Sequence, residues 1–406
     1  MNLRERLRFQ ILNRIDLTRD VEDDEIRDLI RQEIVALSKE KNLTLESRLQ
    51  LEREVFNSLR KLDVLQDLLD QDDISEIMIN GPNDIFVEKN GQIQRSNLHF
   101  SSEEKLFDVI QQIVAMNNRM VNESTPIVDT KLPDGSRVNV ILSPISLNHS
   151  TVTIRRFPKE HITMQRLLEL SSLSPEVAEF LKKLVRSGYN MFIAGGTSSG
   201  KTTFLNALTE YIPKGERVIT IEDSAELQVI GVDNLVRLES RNATLEGRLE
   251  VKIRDLVKAA LRMRPDRIII GECRGAEALE MLQAANTGHD GTLSTGHGNS
   301  CRDMISRLET MVLMASDVEL PLSAIDKQIA SGIDIFVHLG RVNKNQRKLL
   351  EVAEVVGIED GEVKLQTLYR YENREGKDVW NREGTLKNCE KLQAAFGGSD
   401  TDIGRT

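Results

Sequence analysis

Residues 190–212 read NMFIAGGTSSGKTTFLNALTEYI. The apolar run NMFIA predicts a strand, and TTFLNALTEYI predicts a helix stopped by Pro213. Between them Gly195, Gly196, Thr197, Ser198, Ser199, Gly200, Lys201 and Thr202 match G-x-x-x-x-G-K-[ST] in full, and Thr203 follows into the helix. Glycines let such a loop curl until successive N–H groups face phosphate oxygens, and the helix N-terminus adds positive potential. Lys201 is then placed to reach the β- and γ-phosphates, and the Thr202 hydroxyl to ligate Mg²⁺. A plain glycine turn leaves the lysine unexplained. ATP and Mg²⁺ are the expected ligands.

Working outward, RVITIED and RIIIGE read as further strands, and IRDLVKAALRM as a helix ended by Pro265. Upstream, Ser174-Pro175-Glu176 opens a helix with a capping serine, a first-turn proline and an acid at the positive end of the dipole. Its apolar stripe is Val177, Phe180, Leu181, Leu184 and Val185, and Gly188 closes it. Alternating strands and helices predict an α/β fold with a parallel sheet covered on both faces, spanning 175–372. Within it LLEVAEVVGIEDGEVKLQTLYRY predicts a hairpin around Asp360-Gly361. Residues 373–406 read as a polar, frayed tail, and 158–174, from Pro158 to Ser174, as a linker. A small α+β domain is expected over 71–157. There ISEIMINGPNDIFVEKNGQIQ alternates like strands with turns at Gly81-Pro82 and Asn90-Gly91, a helix falls near 103–118, and SRVNVIL and STVTIRRF are strands. Residues 1–70 read as a helical extension. Ile26, Leu29, Ile30, Ile34 and Leu37 share one face, and Val55, Phe56, Leu59, Leu62, Leu65 and Leu69 repeat the pattern.

The bulk composition bounds these readings. A chain of 406 residues suggests two or three domains, and 39% hydrophobic with 29% charged content fits a globular protein. No run of about 18 apolar residues predicts a membrane span, and MNLRERLRFQ lacks the apolar core of a signal peptide. Cys273, Cys301 and Cys389 are scattered, which suits reduced thiols in a cytoplasm. A net charge of −10 weighs against a grip on a nucleic-acid backbone while leaving a local basic patch open.

Hydrolysis needs more than a phosphate loop. Glu272 ends the RIIIGE strand, and in open α/β sheets ligands sit at the C-terminal strand edge. A carboxylate there can hold Mg²⁺ through water or orient the attacking water. Glu222, with Asp223 and Glu226 close behind, ends the RVITIED strand and is the second acidic candidate; capping explains Asp223 and Glu226 equally well, and turn chemistry explains Asp266. TGHDGTLSTGH, residues 287–297, places His289 and His297 eight apart among glycine, threonine and serine, which reads as neither a core strand nor an amphipathic helix. His289, His297 and Cys301 could in principle bind zinc, but their spacing is not that of a structural site and no paired C-x-x-C occurs. Satisfied polar histidines in a loop are the plain alternative to a functional pair.

Four of these stretches, in order, resemble the ATPases that drive type II and type IV secretion, pili and archaeal flagella: the phosphate loop, TIEDSAEL, RPDRIIIGECRGAEALEMLQAANTGH and TGHDGTLSTGHGNS. The resemblance covers about residues 70–370. LPDGSRVNV, TVTIRRF, KAALRMRPDRIIIGE and SRLETMVLMA look most like the Tad/Flp pilus assembly branch, the CpaF/TadA type. It implies a RecA-like core behind a small PAS-like domain, working as a homohexamer that hydrolyses ATP. The motor would sit on the cytoplasmic side of the membrane, bound peripherally to inner-membrane platform proteins, with pilin as indirect cargo. Glu272 would be the Walker B glutamate, Glu222 the acidic-box glutamate, and His289 and His297 the histidine-box pair. Arg137, Arg155 and Arg156 match the arginines that the N-terminal domain supplies to the nucleotide. Three positions depart from the pattern: Gly298 stands for a usual alanine, Cys301 for a common proline, and Cys273 for an aliphatic residue or methionine.

Three other classes compete. A nucleic-acid motor on the same core is disfavoured by the acidic balance. A P-loop kinase or GTPase switch is the next: the guanine reader is missing, since Asn343-Lys344-Asn345-Gln346 ends in an amide, and a kinase would show substrate-dependent ADP release. A nucleotide-gated scaffold would turn over slowly or not at all.

Overall fold

The computed structural model describes residues 3–15, 19, 21–40, 42–157, 161–241, 250–315, 320–343 and 346–397. They divide into two compact units, Met1–Lys159 and Glu160–Thr406.

The first unit begins with helices α1 (Leu3–Leu12), α2 (Asp23–Glu40), α3 (Leu45–Arg60) and α4 (Val64–Leu69). Thr44 and Asp63 cap α3 and α4 through side-chain oxygens. Leu7 and Ile11 of α1, Ile30 and Ile34 of α2, and Val55 and Phe56 of α3 meet in one core, the helical stripe expected from their spacing. Strands β1 (Ile74–Ile79), β2 (Ile85–Lys89) and β3 (Gln92–Arg95), helix α5 (Glu103–Ala115), and strands β4 (Ile127–Lys131), β5 (Arg137–Ile141) and β6 (Thr151–Arg155) follow. The sheet order is β3-β2-β1-β6-β5-β4, antiparallel throughout. Asn90 and Gly91 both take left-handed backbone in the tight β2–β3 turn. Alternate residues, such as Ile77, Ile79, Val138, Val152 and Ile154, face the α5 side chains Leu106, Ile110 and Ile113. The opposite face is mixed, with Glu76, Asp129, Arg137 and Arg155 beside Met78, Phe86 and Ile127.

The second unit runs α6 (Met164–Glu169), α7 (Pro175–Arg186), β7 (Met191–Gly195), α8 (Lys201–Thr209), β8 (Arg217–Glu222), β9 (Asn234–Glu239), α9 (Ile253–Ala260), β10 (Arg267–Cys273), α10 (Glu277–Asn286), β11 (Leu293–His297), α11 (Cys301–Leu313), α12 (Leu322–Gly332), β12 (Ile335–Arg341), β13 (Arg347–Glu359), β14 (Glu362–Arg374), β15 (Lys377–Arg382) and α13 (Glu390–Phe396). Its nine strands order as β15-β14-β13-β12-β7-β11-β10-β8-β9. From β12 to β9 every pair is parallel, and β13, β14 and β15 extend the sheet antiparallel. Strands β7 and β10 read as near-continuous apolar runs because both faces are covered. Met191 and Ile193 face α7 and α8, whereas Phe192 and Ala194 face the α10–α12 side.

Four expectations change. The parallel sheet carries an antiparallel annex, built on the 13-residue strands β13 and β14 around Asp360-Gly361. The proposed linker holds α6, since Thr163 caps it and Met164 and Leu167 are buried in the second unit; Pro158 lies outside the described residues. The frayed tail holds β15 and α13. Glu354, buried on β13, accepts from the backbone N–H groups of Lys387 and Asn388. Tyr189 donates to the Asn388 carbonyl, Lys391 pairs with Asp334, and Leu392 is buried. Polar composition hid a segment whose polar groups are themselves the anchors. Residues 398–406 lie outside the described part.

The largest departure is β11. LSTGH is a core strand, flanked by β7 and β10 and buried from Leu293 to Gly296. It carries little apolar bulk because its neighbours supply it. A Cβ on Gly296 would lie 2.9 Å from Phe192 Cε1 and 3.1 Å from Met304 Cε. The hydroxyls are spent internally, Thr295 on the Gly271 carbonyl and Ser294 on Cys273 Sγ.

Candidate nucleotide site

Adjacent strand tips form the site. At their C-terminal ends β12, β7, β11, β10 and β8 present, in spatial order, Arg341, the glycine loop, His297, Glu272 and Glu222. The loop leaves β7 at Gly195, where a Cβ would fall 2.5 Å from Ser199 Oγ and 2.6 Å from the Leu339 carbonyl. Ser198 and Gly200 take left-handed backbone, with φ of 56° and 92°. Helix α8 starts at Lys201 with no side-chain cap. Ser199 Oγ is buried with no partner among the described residues. An uncapped helix N-terminus, an orphaned hydroxyl and a buried lysine fit a phosphate group. Thr202 and Thr203 lie in the first turn, half-buried, while Gly196, Thr197 and Ser198 are exposed on the loop's rim.

Because β11 lies between β7 and β10, His297 falls between the lysine and the glutamate. Lys201 Nζ donates to the carbonyls of Gly195 and Gly196, 3.1 Å each, and lies 3.4 Å from His297 Nδ1. His297 Nε2 lies 2.9 Å from Glu272 Oε1. Lysine offers only donors, so Nδ1 accepts and the ring proton belongs on Nε2, donating to the carboxylate; the tautomer is assigned from this network. Burial lowers the Lys201 pKa against the opposing pull of Glu272. His297 is lowered too, first by burial and then by the Lys201 charge. Glu272 Oε2 accepts from Arg274, at 2.7 Å from Nε and 2.5 Å from Nη2. Both carboxylate oxygens are thus engaged in this state.

Glu222 is 3% exposed, and Oε1 accepts the N–H groups of Glu226 and Leu227, at 2.7 and 2.8 Å. Burial raises its pKa against those two bonds. Oε2 is buried with no partner among the described residues. The side chain crosses Gly271, where a Cβ would meet it at 2.9 Å. Asp223 accepts from the Ser240 hydroxyl and Asp266 from the Arg217 N–H.

The two histidines separate. His297 and Gly195 are register partners at one end of β11, whereas His289 precedes the strand, its ring 3.3 Å from the Ala284 carbonyl. Four strand steps from Leu293 to His297 alone span about 13 Å. His289 therefore lies toward the opposite edge of the sheet from the glycine loop, and His289, His297 and Cys301 do not share one site. The glycines of the box also differ in purpose: Gly291, at φ of 74°, lies under Arg267, whose guanidinium a Cβ would overlap.

The candidate arginines belong to the first unit. Arg137 and Arg155 are register partners on β5 and β6, with Glu76 of β1 opposite Arg155 on its other side. Arg156 is turned to the Gln71 carbonyl, 2.5 Å from Nη1.

Sequence reading missed three arginines. Arg274, two residues after Glu272 and one past the end of β10, was there to be read. Arg341 and Arg347 donate through Nε to the Ser198 carbonyl at 3.3 and 3.0 Å from more than 140 residues away, with no local signal.

A strand, glycine loop and helix opening onto acidic strand tips define a P-loop α/β domain of RecA-like form. The chain belongs to the family described as Type II/IV secretion system protein, which matches residues 59–390. It is 30% identical over 329 residues to a putative conjugal transfer protein of Mycobacterium tuberculosis, covering 78% of this chain and 92% of that one. It is 32% identical to the type IV secretion system protein PtlH of Bordetella pertussis, covering 69% and 89%. Among solved structures, the pilus retraction motor PilT with bound ADP superposes with a TM-score of 0.53 at 21% identity, covering 76% of this chain and 82% of that one. The Legionella pneumophila ATPase DotB gives 0.52 at 23% identity, covering 71% and 79%. At these identities the two structures speak to the fold.

Proposed function

We propose that this chain is the ATP-hydrolysing motor subunit of a Tad/Flp-type, type IV-like pilus or secretion apparatus, working as a homohexamer on the cytoplasmic side of the membrane. The observation that supports it most is the line Lys201–His297–Glu272 beneath an uncapped helix N-terminus.

Lys201 now rests on neutral acceptors, and a phosphate oxygen is the stronger one, so nucleotide draws the ammonium to the β- and γ-phosphates. The backbone of residues 196–201 and the first turn at Thr202 and Thr203 bind the rest of the polyphosphate. Mg²⁺, when bound, would draw charge off the phosphates, held by the Thr202 hydroxyl and, through water, by Glu272. Glu272, parted from Arg274, orients the attacking water and takes its proton. His297 stays neutral and loses its lysine partner as the phosphate arrives, so it reports the state of the phosphate site. Glu222 fixes the loop at 226–227 and helps position water. Arg137 and Arg155 reach a neighbouring subunit's phosphates in this reading, where their planar donors offset transition-state charge. Arg156 joins them by position, though its guanidinium is engaged. His289, remote from the loop within its own subunit, acts at a subunit border. Inner-membrane platform proteins are the partners, and pilin is moved indirectly.

The test is ATP turnover and nucleotide binding by the intact chain. Lys201→Ala should abolish binding. Glu272→Gln should keep binding and lower turnover by about a hundredfold or more. A mass measurement with a nonhydrolysable ATP analogue should show six subunits. Undiminished turnover in both variants sinks the reading.

A further inference from the structure

We infer that Arg341 and Arg347 are positioning residues of the phosphate loop, a brace from the same subunit that aims the Ser198–Ser199 peptide; this rests on the ATPase reading above. The two residues are register partners on β12 and β13 at the turn end of the hairpin, with Arg341 two residues beyond Leu339, which pairs with Gly195. Both donate through Nε to one acceptor, the Ser198 carbonyl, at 3.3 and 3.0 Å. A Cβ on Gly200 would meet Arg347 Cδ at 3.5 Å, so the arginine stem also lies against the loop's last glycine.

Two guanidinium groups converge on this one carbonyl oxygen, which fixes its direction. Ser198 sits at φ of 56°, where a residue with a Cβ is disfavoured. In a trans peptide C=O and N–H point in opposite directions. Holding the Ser198 oxygen outward, toward the hairpin, therefore turns the Ser199 N–H inward. It is found there, donating to the Gly196 carbonyl at 3.3 Å, the same oxygen that Lys201 holds. A phosphate entering the loop displaces these internal bonds and meets an N–H already aimed at it. The hairpin thus supplies shape rather than charge. Either arginine can hold the carbonyl alone, so the two are redundant.

The test is binding of ADP and of a nonhydrolysable ATP analogue by calorimetry, with thermal unfolding as the check on folding. Arg341→Ala and Arg347→Ala should each weaken both nucleotides by no more than about threefold, and the double variant by about tenfold or more, equally for ADP and ATP analogue. Arg341→Gln with Arg347→Gln should recover part of the loss, because a brace needs a donor and not a charge. Loss confined to the ATP analogue would make the arginines phosphate contacts and overturn the brace. So would unchanged binding in a folded double alanine variant, or glutamines that behave as alanines. If the wild-type chain binds no nucleotide while Lys201→Ala matches it, the ATPase reading itself has failed, an outcome distinct from these.

Discussion

His297 stands between a cation and a carboxylate, and its surroundings favour the uncharged ring. Its pKa in the folded chain lies below the ordinary value, from burial first and Lys201 second. An unfolded chain binds this proton at higher pH than the folded one. The stability contributed by neutral His297 is therefore complete above about pH 6.5 and is lost as pH falls through the lower folded value. Protonation would place an N–H on Nδ1 against the Lys201 ammonium, so the contact with the loop breaks together with the stability. His297→Gln should flatten the fall in unfolding midpoint between pH 7.5 and 5.5. A variant with the wild-type slope would place the titrating group elsewhere. The same ring holds one oxygen of Glu272, and Arg274 holds the other.

At the scale of elements, β11 shows what a strand needs when its neighbours are large. Gly296→Ala should cost about 1–3 kcal/mol in chemical denaturation, because Phe192 and Met304 already fill the space. Phe192→Leu in the same chain should return part of that loss; strictly additive effects would rule out the clash. This strand also marks the limit of what the sequence discloses. The phosphate loop was legible because its strand, glycines, lysine and helix are contiguous, and NMFIA and RIIIGE were legible because two-sided burial leaves continuous apolar runs. LSTGH was not, since its burial depends on the bulk of β7 and α11, which no local pattern records. Nor did the seven residues between His289 and His297 reveal that an extended strand carries them apart. The hairpin arginines are the extreme case, joined to Ser198 only by the order β12-β7 in the sheet.

For the whole molecule, the arginines of the first unit give the sharpest prediction. If Arg155 serves a neighbour's phosphates, Arg155→Ala and Lys201→Ala subunits should each be inactive alone and regain some turnover when mixed. Intact rings with no regain would count against service across an interface. The C-terminal segment carries a different consequence. Glu354 is 1% exposed, and three backbone contacts from Lys387 and Asn388 occupy its carboxylate. Ending the chain near Leu386, or splicing a tag in there, strands a buried anion and uncovers the seat of Leu392. The last helix is a latch on the second unit, so labels and fusions meant to spare its fold belong after it rather than before.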